Sequence, residues 1–195
     1  MSTQDIERAP WFRGRAALIG SGVAALVMTV LLLIDTIWPR SLSARFGILP
    51  RNVDGLDGIL FAPLLHANFS HLISNAIPLA VLCFLVAMEG WRQLVTVIAF
   101  SWLGSGLVVW LVGAGNTIGA SGVVFGLFGY LLTRGIYTKN WRHWLLAAVL
   151  FLIYGSILWG LTPLAGPGIS WQGHAAGFAS GVLAALFLSR RRASR

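Results

Sequence analysis

Six apolar runs, separated by short polar breaks, divide this chain, at about 16–38, 68–88, 94–112, 119–132, 143–161 and 171–189. The hydrocarbon core of a bilayer is about 30 Å thick and takes about 20 helical residues to cross. Inside it the backbone must satisfy its own hydrogen bonds, which turns runs of this length into helices. The expectation is an all-α, polytopic membrane protein of six transmembrane helices, one domain over 1–195, with tails at 1–15 and 190–195. The first run is too long for the apolar core of a signal peptide, and no cleavage site follows it.

With 57% apolar and 10% charged residues, the chain cannot dress a water-facing surface. Its net charge of +8 lies at the ends of the apolar runs, which marks topology and excludes a nucleic-acid-reading surface. Arg8, Arg13 and Arg15 precede the first run, and Arg190, Arg191, Arg192 and Arg195 follow the last. Placing both termini in the cytoplasm puts Arg92, Arg134, Lys139 and Arg142 there too, and leaves Arg40, Arg45 and Arg51 in an outer first loop. Trp38, Trp91, Trp141, Trp144, Trp159 and Trp171 fall near run ends, as an aromatic belt does. Glu89 is expected to reach for the interface and pair with Arg92. Cys83, the only cysteine, reads as packing, and no histidine cluster has metal-ligand spacing.

The fourth run is short. Its roughly fifteen residues, at about 1.5 Å each, cover only about 22 Å. The turn before it, Gly113-Ala114-Gly115-Asn116-Thr117, must therefore dip into the membrane, so that this helix starts inside it. Ile118-Gly119-Ala120-Ser121-Gly122 then sets a serine among small residues at a helix start, near free backbone N–H groups. Such a run is also a common helix-packing surface.

Ionisable groups inside spans are costly and point to function by default. His174 sits in the last run, where Gly173, Gly177 and Gly181 recur every fourth residue and give one smooth face. Gly122 and Gly126 offer a matching groove, and close approach of the two would bring His174 to Ser121. The alternative for His174 is an imidazole satisfied by a backbone carbonyl near the interface. His71 and Asn75 share a helix face, and both carry N–H donors of the kind that stabilise an oxyanion. His66 lies at the loop–helix junction before them. A polar helix cap explains His66 and Asn68, and explains Asn75, one turn deeper, poorly. Asp35, Asp54, Asp57 and Glu89 are not placed to complete a triad, which points to a Ser–His dyad.

Gly119-Ala120-Ser121-Gly122, Gly173-His174-Ala175-Ala176-Gly177 and His71-Leu72-Ile73-Ser74-Asn75 together resemble the rhomboid intramembrane serine proteases, in order and spacing, over about 59–189. The likeness is to the compact six-span bacterial form. It implies Ser121 as nucleophile and His174 as general base, with His71, Asn75 and the Ser121 N–H as the oxyanion hole. It implies single-span membrane proteins as substrates, cut in or near the outer part of their span, and no cofactor. Two positions depart from the family pattern. Phe125 stands where many relatives have a tyrosine, and the Trp-Arg pair common in the first loop is absent. The resemblance also implies the cytoplasmic membrane of a bacterium, with the site open to the outer face. The uncharged Pro163–Gly168 loop reads either as a lid or as a plain connection. Two competing readings remain: a non-catalytic rhomboid-like protein that binds client helices, and a small transporter using its histidines as a proton relay. Clustering of the polar residues toward one half of the spans disfavours the transporter. The oligomeric state leaves no mark on the sequence.

Overall fold

The computed structural model describes residues 10–38 and 41–193, and of Arg191, Arg192 and Ala193 the backbone alone. Arg8, Pro39, Arg40 and Arg195, which entered the charge reading, lie outside the described residues. The elements are α1 (Pro10–Ile37), α2 (Leu42–Phe46), α3 (Gly58–Phe61), α4 (Phe69–Glu89), α5 (Trp91–Val112), α6 (Ser121–Thr138), α7 (Trp141–Tyr154) and α8 (Trp171–Ala193), with short 3-10 turns between. No strand occurs among the described residues, and a single antiparallel bridge joins Ile48 to Thr117. α1, α4, α5 and the segment Trp141–Leu161 are long and apolar enough to cross a membrane.

α6 is the central helix. From Val123 to Leu131 every residue is buried, as expected of a helix apolar on all sides. Its neighbours are α8, α7, α5 and α4, while α1 packs on α4. Leu127, Phe128 and Leu131 meet Leu82, Val86, Val97 and Ala184 in the main core. The expected stop at Leu132 is wrong: α6 runs from Ser121 to Thr138, 18 residues or about 27 Å. Arg134 does not end the helix because it is buried against a carboxylate.

That carboxylate is Glu89, and here the structure corrects the sequence reading. Gly90 (φ 146) breaks the chain between α4 and α5, so Glu89 and Arg92 no longer share a helix. Glu89 instead forms an ion pair with Arg134 and accepts a hydrogen bond from Tyr130 at 3.0 Å. Arg13 donates to the Ala87 and Met88 carbonyls and so caps the end of α4 from α1.

α6 and α8 approach backbone to backbone. A Cβ at Gly177 would strike the Gly122 carbonyl, and one at Gly181 the Gly126 carbonyl. The glycines of α6 have a different neighbour, since a Cβ there would strike the α5 side chains of Ser105 and Ser101. The expected groove is thus shared between two partners, with α8 lying on the carbonyls of Gly122 and Gly126 and α5 on their missing side chains.

The fifth apolar run is not one helix. α7 ends at Tyr154 and Gly155–Leu161 continues as 3-10 turn, a tighter winding that brings Gly160 over α8.

Candidate active site

The loop before α6 is tied at several points to the segment between α1 and α4. Ile48 and Thr117 exchange backbone hydrogen bonds of 2.9 and 3.1 Å, and Gly119 N–H donates to the Ala62 carbonyl at 2.8 Å. Asn116 Nδ2 reaches the Ser43 carbonyl at 2.8 Å. Without a Trp-Arg pair in sequence, the loop takes its tryptophan and arginine from two elements. Trp110 of α5 donates to the Asn52 carbonyl at 2.8 Å, and Arg51 donates to the carbonyls of Leu111 (3.3 Å) and Gly113 (3.1 Å). These bonds fix where α6 begins, and with it Ser121.

Ser121 Oγ lies 2.8 Å from His174 Nε2, so the close approach of α6 and α8 does bring the hydroxyl and the imidazole together. The far nitrogen of the ring, Nδ1, is 3.0 Å from the Gly160 carbonyl. A carbonyl only accepts, so Nδ1 carries the proton and donates, leaving Nε2 as the acceptor for the Ser121 hydroxyl. The serine and the backbone carbonyl thus lie on opposite edges of one ring. Phe125 stacks on it with centroids 4.2 Å apart and planes 15° apart. Gly173, one residue earlier, lies so close to Val109 that a Cβ would come within 2.9 Å of its methyl.

His71 is fixed by the same logic with the donor reversed. Ala67 N–H donates to its Nδ1 at 3.4 Å, so in the neutral ring the proton sits on Nε2. That edge lies over Gly119, whose φ of 112 and missing side chain are both required: a Cβ there would be 2.7 Å from Nε2. Asn75, 4% exposed, donates from Nδ2 to the His71 carbonyl at 2.8 Å, which sets its amide and leaves a second Nδ2 hydrogen. Asn68 caps α4 by accepting from His71 N–H at 2.8 Å, which is the cap the polar cluster suggested. His66 is 1% exposed and sits edge-on to His71, centroids 5.0 Å apart. Burial, with the His71 ring adding to it, pushes His66 down to about 4.

A cavity of about 840 Å³ is lined by Ser121, His174, His71, Asn75 and Phe125 together with the loop 114–118 and Pro167–Ser170. The N–H of Ser121, first residue of α6, has no helical acceptor four residues back. A carbonyl set in this cavity would meet a hydroxyl whose proton has an acceptor, and N–H donors for the oxygen. The carboxylates stand elsewhere: Asp35 accepts from the Leu42 and Ser43 N–H groups, and Asp57 pairs with Arg45 at 2.9 Å. The sequence reading missed Gly160, whose carbonyl orients the His174 ring. A backbone acceptor leaves no side-chain signal, and only the glycine itself, where a Cβ would come within 3.1 Å of both His174 Nδ1 and the Phe125 ring, hints at it.

The chain is 40% identical over 197 residues to the uncharacterized protein Rv1337 of Mycobacterium tuberculosis, covering 96% of this chain and 80% of that one. It is 39% identical over 201 residues to the uncharacterized protein ML1171 of Mycobacterium leprae, covering 96% and 76%. Residues 55–191 match the Rhomboid domain family, a stretch that holds every residue named around the cavity. The protein is an integral membrane protein of the rhomboid family.

Proposed function

We propose that the protein is an intramembrane serine endopeptidase working through a Ser121–His174 dyad. The observation that carries this reading is the 2.8 Å contact between Ser121 Oγ and the unprotonated edge of His174. His174 takes the Ser121 proton as Oγ attacks a peptide carbonyl, and the Nδ1–H···O=C bond to Gly160 persists on the imidazolium. The oxyanion is met by the N–H of Ser121, by His71 Nε2–H and by the second Nδ2 hydrogen of Asn75. His174 then gives its proton to the leaving amine, and the acyl-enzyme is released by water acting through the same base.

The fold is six-spanning in this reading, the four long apolar helices being joined by α6 and α8, as one domain over 1–195. Both termini face the cytoplasm of a bacterial cell and the cavity opens to the outer side, because the lysines and arginines gather at the other end. Substrates are single-span membrane proteins cut in or near the outer part of the span. A peptide bond inside an intact helix is shielded, so segments that unwind there are preferred. No cofactor or metal takes part in these steps.

The test is cleavage of a single-span substrate in liposomes, together with labelling by a fluorophosphonate probe. Ser121→Ala and His174→Ala are each expected to lower turnover by about a thousandfold or more with the fold intact. Cleavage surviving in Ser121→Ala overturns the nucleophile. Absence of both cleavage and labelling in the parent favours client binding without catalysis.

A further inference from the structure

Pro78 sits inside α4, ten positions into a 21-residue helix. Proline has no N–H, so the carbonyl of Ser74, four residues earlier, loses the donor an α-helix supplies, and the ring crowds that carbonyl. In a helix interior this costs about 3 kcal/mol relative to alanine. Pro78 does not recover that cost by deep packing, being only half-buried. Its position instead coincides with the cavity, whose wall includes His71, Ser74, Asn75 and Pro78 from α4. These four lie on one face, at spacings of three and four. Helix carbonyls point toward the C-terminus, which directs the Ser74 oxygen along that wall, one turn deeper than His71. The Ser74 hydroxyl does not compensate, since it turns back to the His71 carbonyl at 2.8 Å. Beside it the Asn75 Oδ1 is buried and has no hydrogen-bond partner among the described residues.

The upper wall of the cavity is therefore a set of donors, suited to a substrate carbonyl, and the wall below carries acceptors. A client segment entering as unwound backbone brings both groups. Its carbonyls suit the donors. Its N–H groups, removed from their own helix, each cost several kcal/mol if left bare in hydrocarbon.

We propose that the Ser74 carbonyl released by Pro78 is a substrate-binding subsite that accepts a hydrogen bond from a backbone N–H of the unwound client segment. This rests on the protease reading for its substrate and not for its chemistry. The residue that creates the subsite is Pro78, and it acts by the absence of a hydrogen.

Pro78→Ala tests it directly, because alanine restores the N–H, ties the Ser74 carbonyl back into the helix and removes a helix breaker. Binding of a fluorescent single-span segment is measured in the Ser121→Ala background, where nothing turns over, with each backbone amide of the segment replaced in turn by an ester. Pro78→Ala is expected to weaken binding about five- to tenfold, the value of one hydrogen bond. One ester position should weaken binding to the Pro78 protein by a similar factor and leave binding to Pro78→Ala unchanged. With Ser121 present, the same substitution should raise KM by that factor at constant kcat. Equal affinity of the two proteins, an identical ester profile in both, or no binding at all overturns the subsite. The expected binding pattern without cleavage by the Ser121 enzyme removes the protease reading alone, and cleavage without the pattern removes the subsite alone.

Discussion

At the start of α6, Ser121 meets His174 across 2.8 Å, with both groups neutral and the imidazole held by a hydrogen bond that ends on the Gly160 carbonyl. Near the other end of the same helix, Arg134 meets Glu89, with Tyr130 closing on the same carboxylate at 3.0 Å. Both places join α6 to a neighbouring helix in the apolar interior, and they do it with opposite chemistry. A full charge pair resists any change in protonation, since neutralising one partner strands the other. An imidazole anchored through Nδ1–H on the Gly160 carbonyl keeps its orientation whether or not Nε2 holds a proton. The charged end suits a permanent joint, and the neutral end suits a site where a proton must move.

The largest way to break this contrast is at the charged end. Glu89→Ala leaves Arg134, itself 4% exposed, without its carboxylate. The expected loss is about 3–5 kcal/mol of stability, the cost of an uncompensated buried charge. Thermal unfolding in detergent should show a large fall in Tm, while activity per folded molecule at low temperature stays near that of the parent. Replacing both partners with apolar residues, Glu89→Leu with Arg134→Met, should recover much of the Tm. An unchanged Tm in Glu89→Ala would show that the pair is not a joint. A loss of activity in molecules that remain folded would show that the two ends are not independent.

A smaller effect is expected where the first loop clasps the neutral end. Arg51 holds the carbonyls of Leu111 and Gly113 from an exposed position with φ 58. Arg51→Ala should cost about 1 kcal/mol, because exposed charge-assisted bonds compete with water. Hydrogen exchange is the sharper readout: amides of residues 113–119 should exchange faster, and those around Arg134 should not. Uniform exchange across both ends would mean that the clasp does not govern the entry to α6.

Much of the neutral end could be read from the sequence, and little of the charged end could. Ser121, His174, His71 and Asn75 stand out because polar groups on glycine-rich or apolar helices have few other uses, and the structure gathers them around one cavity. The partner of Glu89 was not legible, because Gly90 severs the helix on which Arg92 would have been its neighbour. Arg134 misled in the same way. As a lone charge it reads as the end of a span, and only its pairing with Glu89 lets α6 continue to Thr138. Tyr130 and Arg134, one turn apart on the same face, were the available signal. The 3-10 winding of Gly155–Leu161 was hidden for another reason, since apolar periodicity does not separate the two helix types over seven residues. The first loop was unreadable because its tryptophan and arginine, Trp110 and Arg51, are distant in sequence.

The smallest expected effect tests whether the neutral end depends on staying neutral. His66 is held down to about 4 by burial and by the neighbouring His71, against an ordinary value of 6.5. In the unfolded chain it takes up a proton as the pH falls through 6.5, whereas in the folded protein it does so only near 4. Between those values the unfolded state binds more protons, so stability falls as pH is lowered across the window and levels off below it. His66→Phe keeps a ring against His71 and removes this titration. Measured as Tm in detergent at pH 7.5 and at pH 4.5, the variant should lose less on acidification than the parent does. Equal losses would mean that His66 is protonated in the fold at a higher pH than its burial implies. A cation would then stand beside the proposed oxyanion donor His71, and the site end would be no longer neutral, which is the property that sets it apart from Glu89 and Arg134.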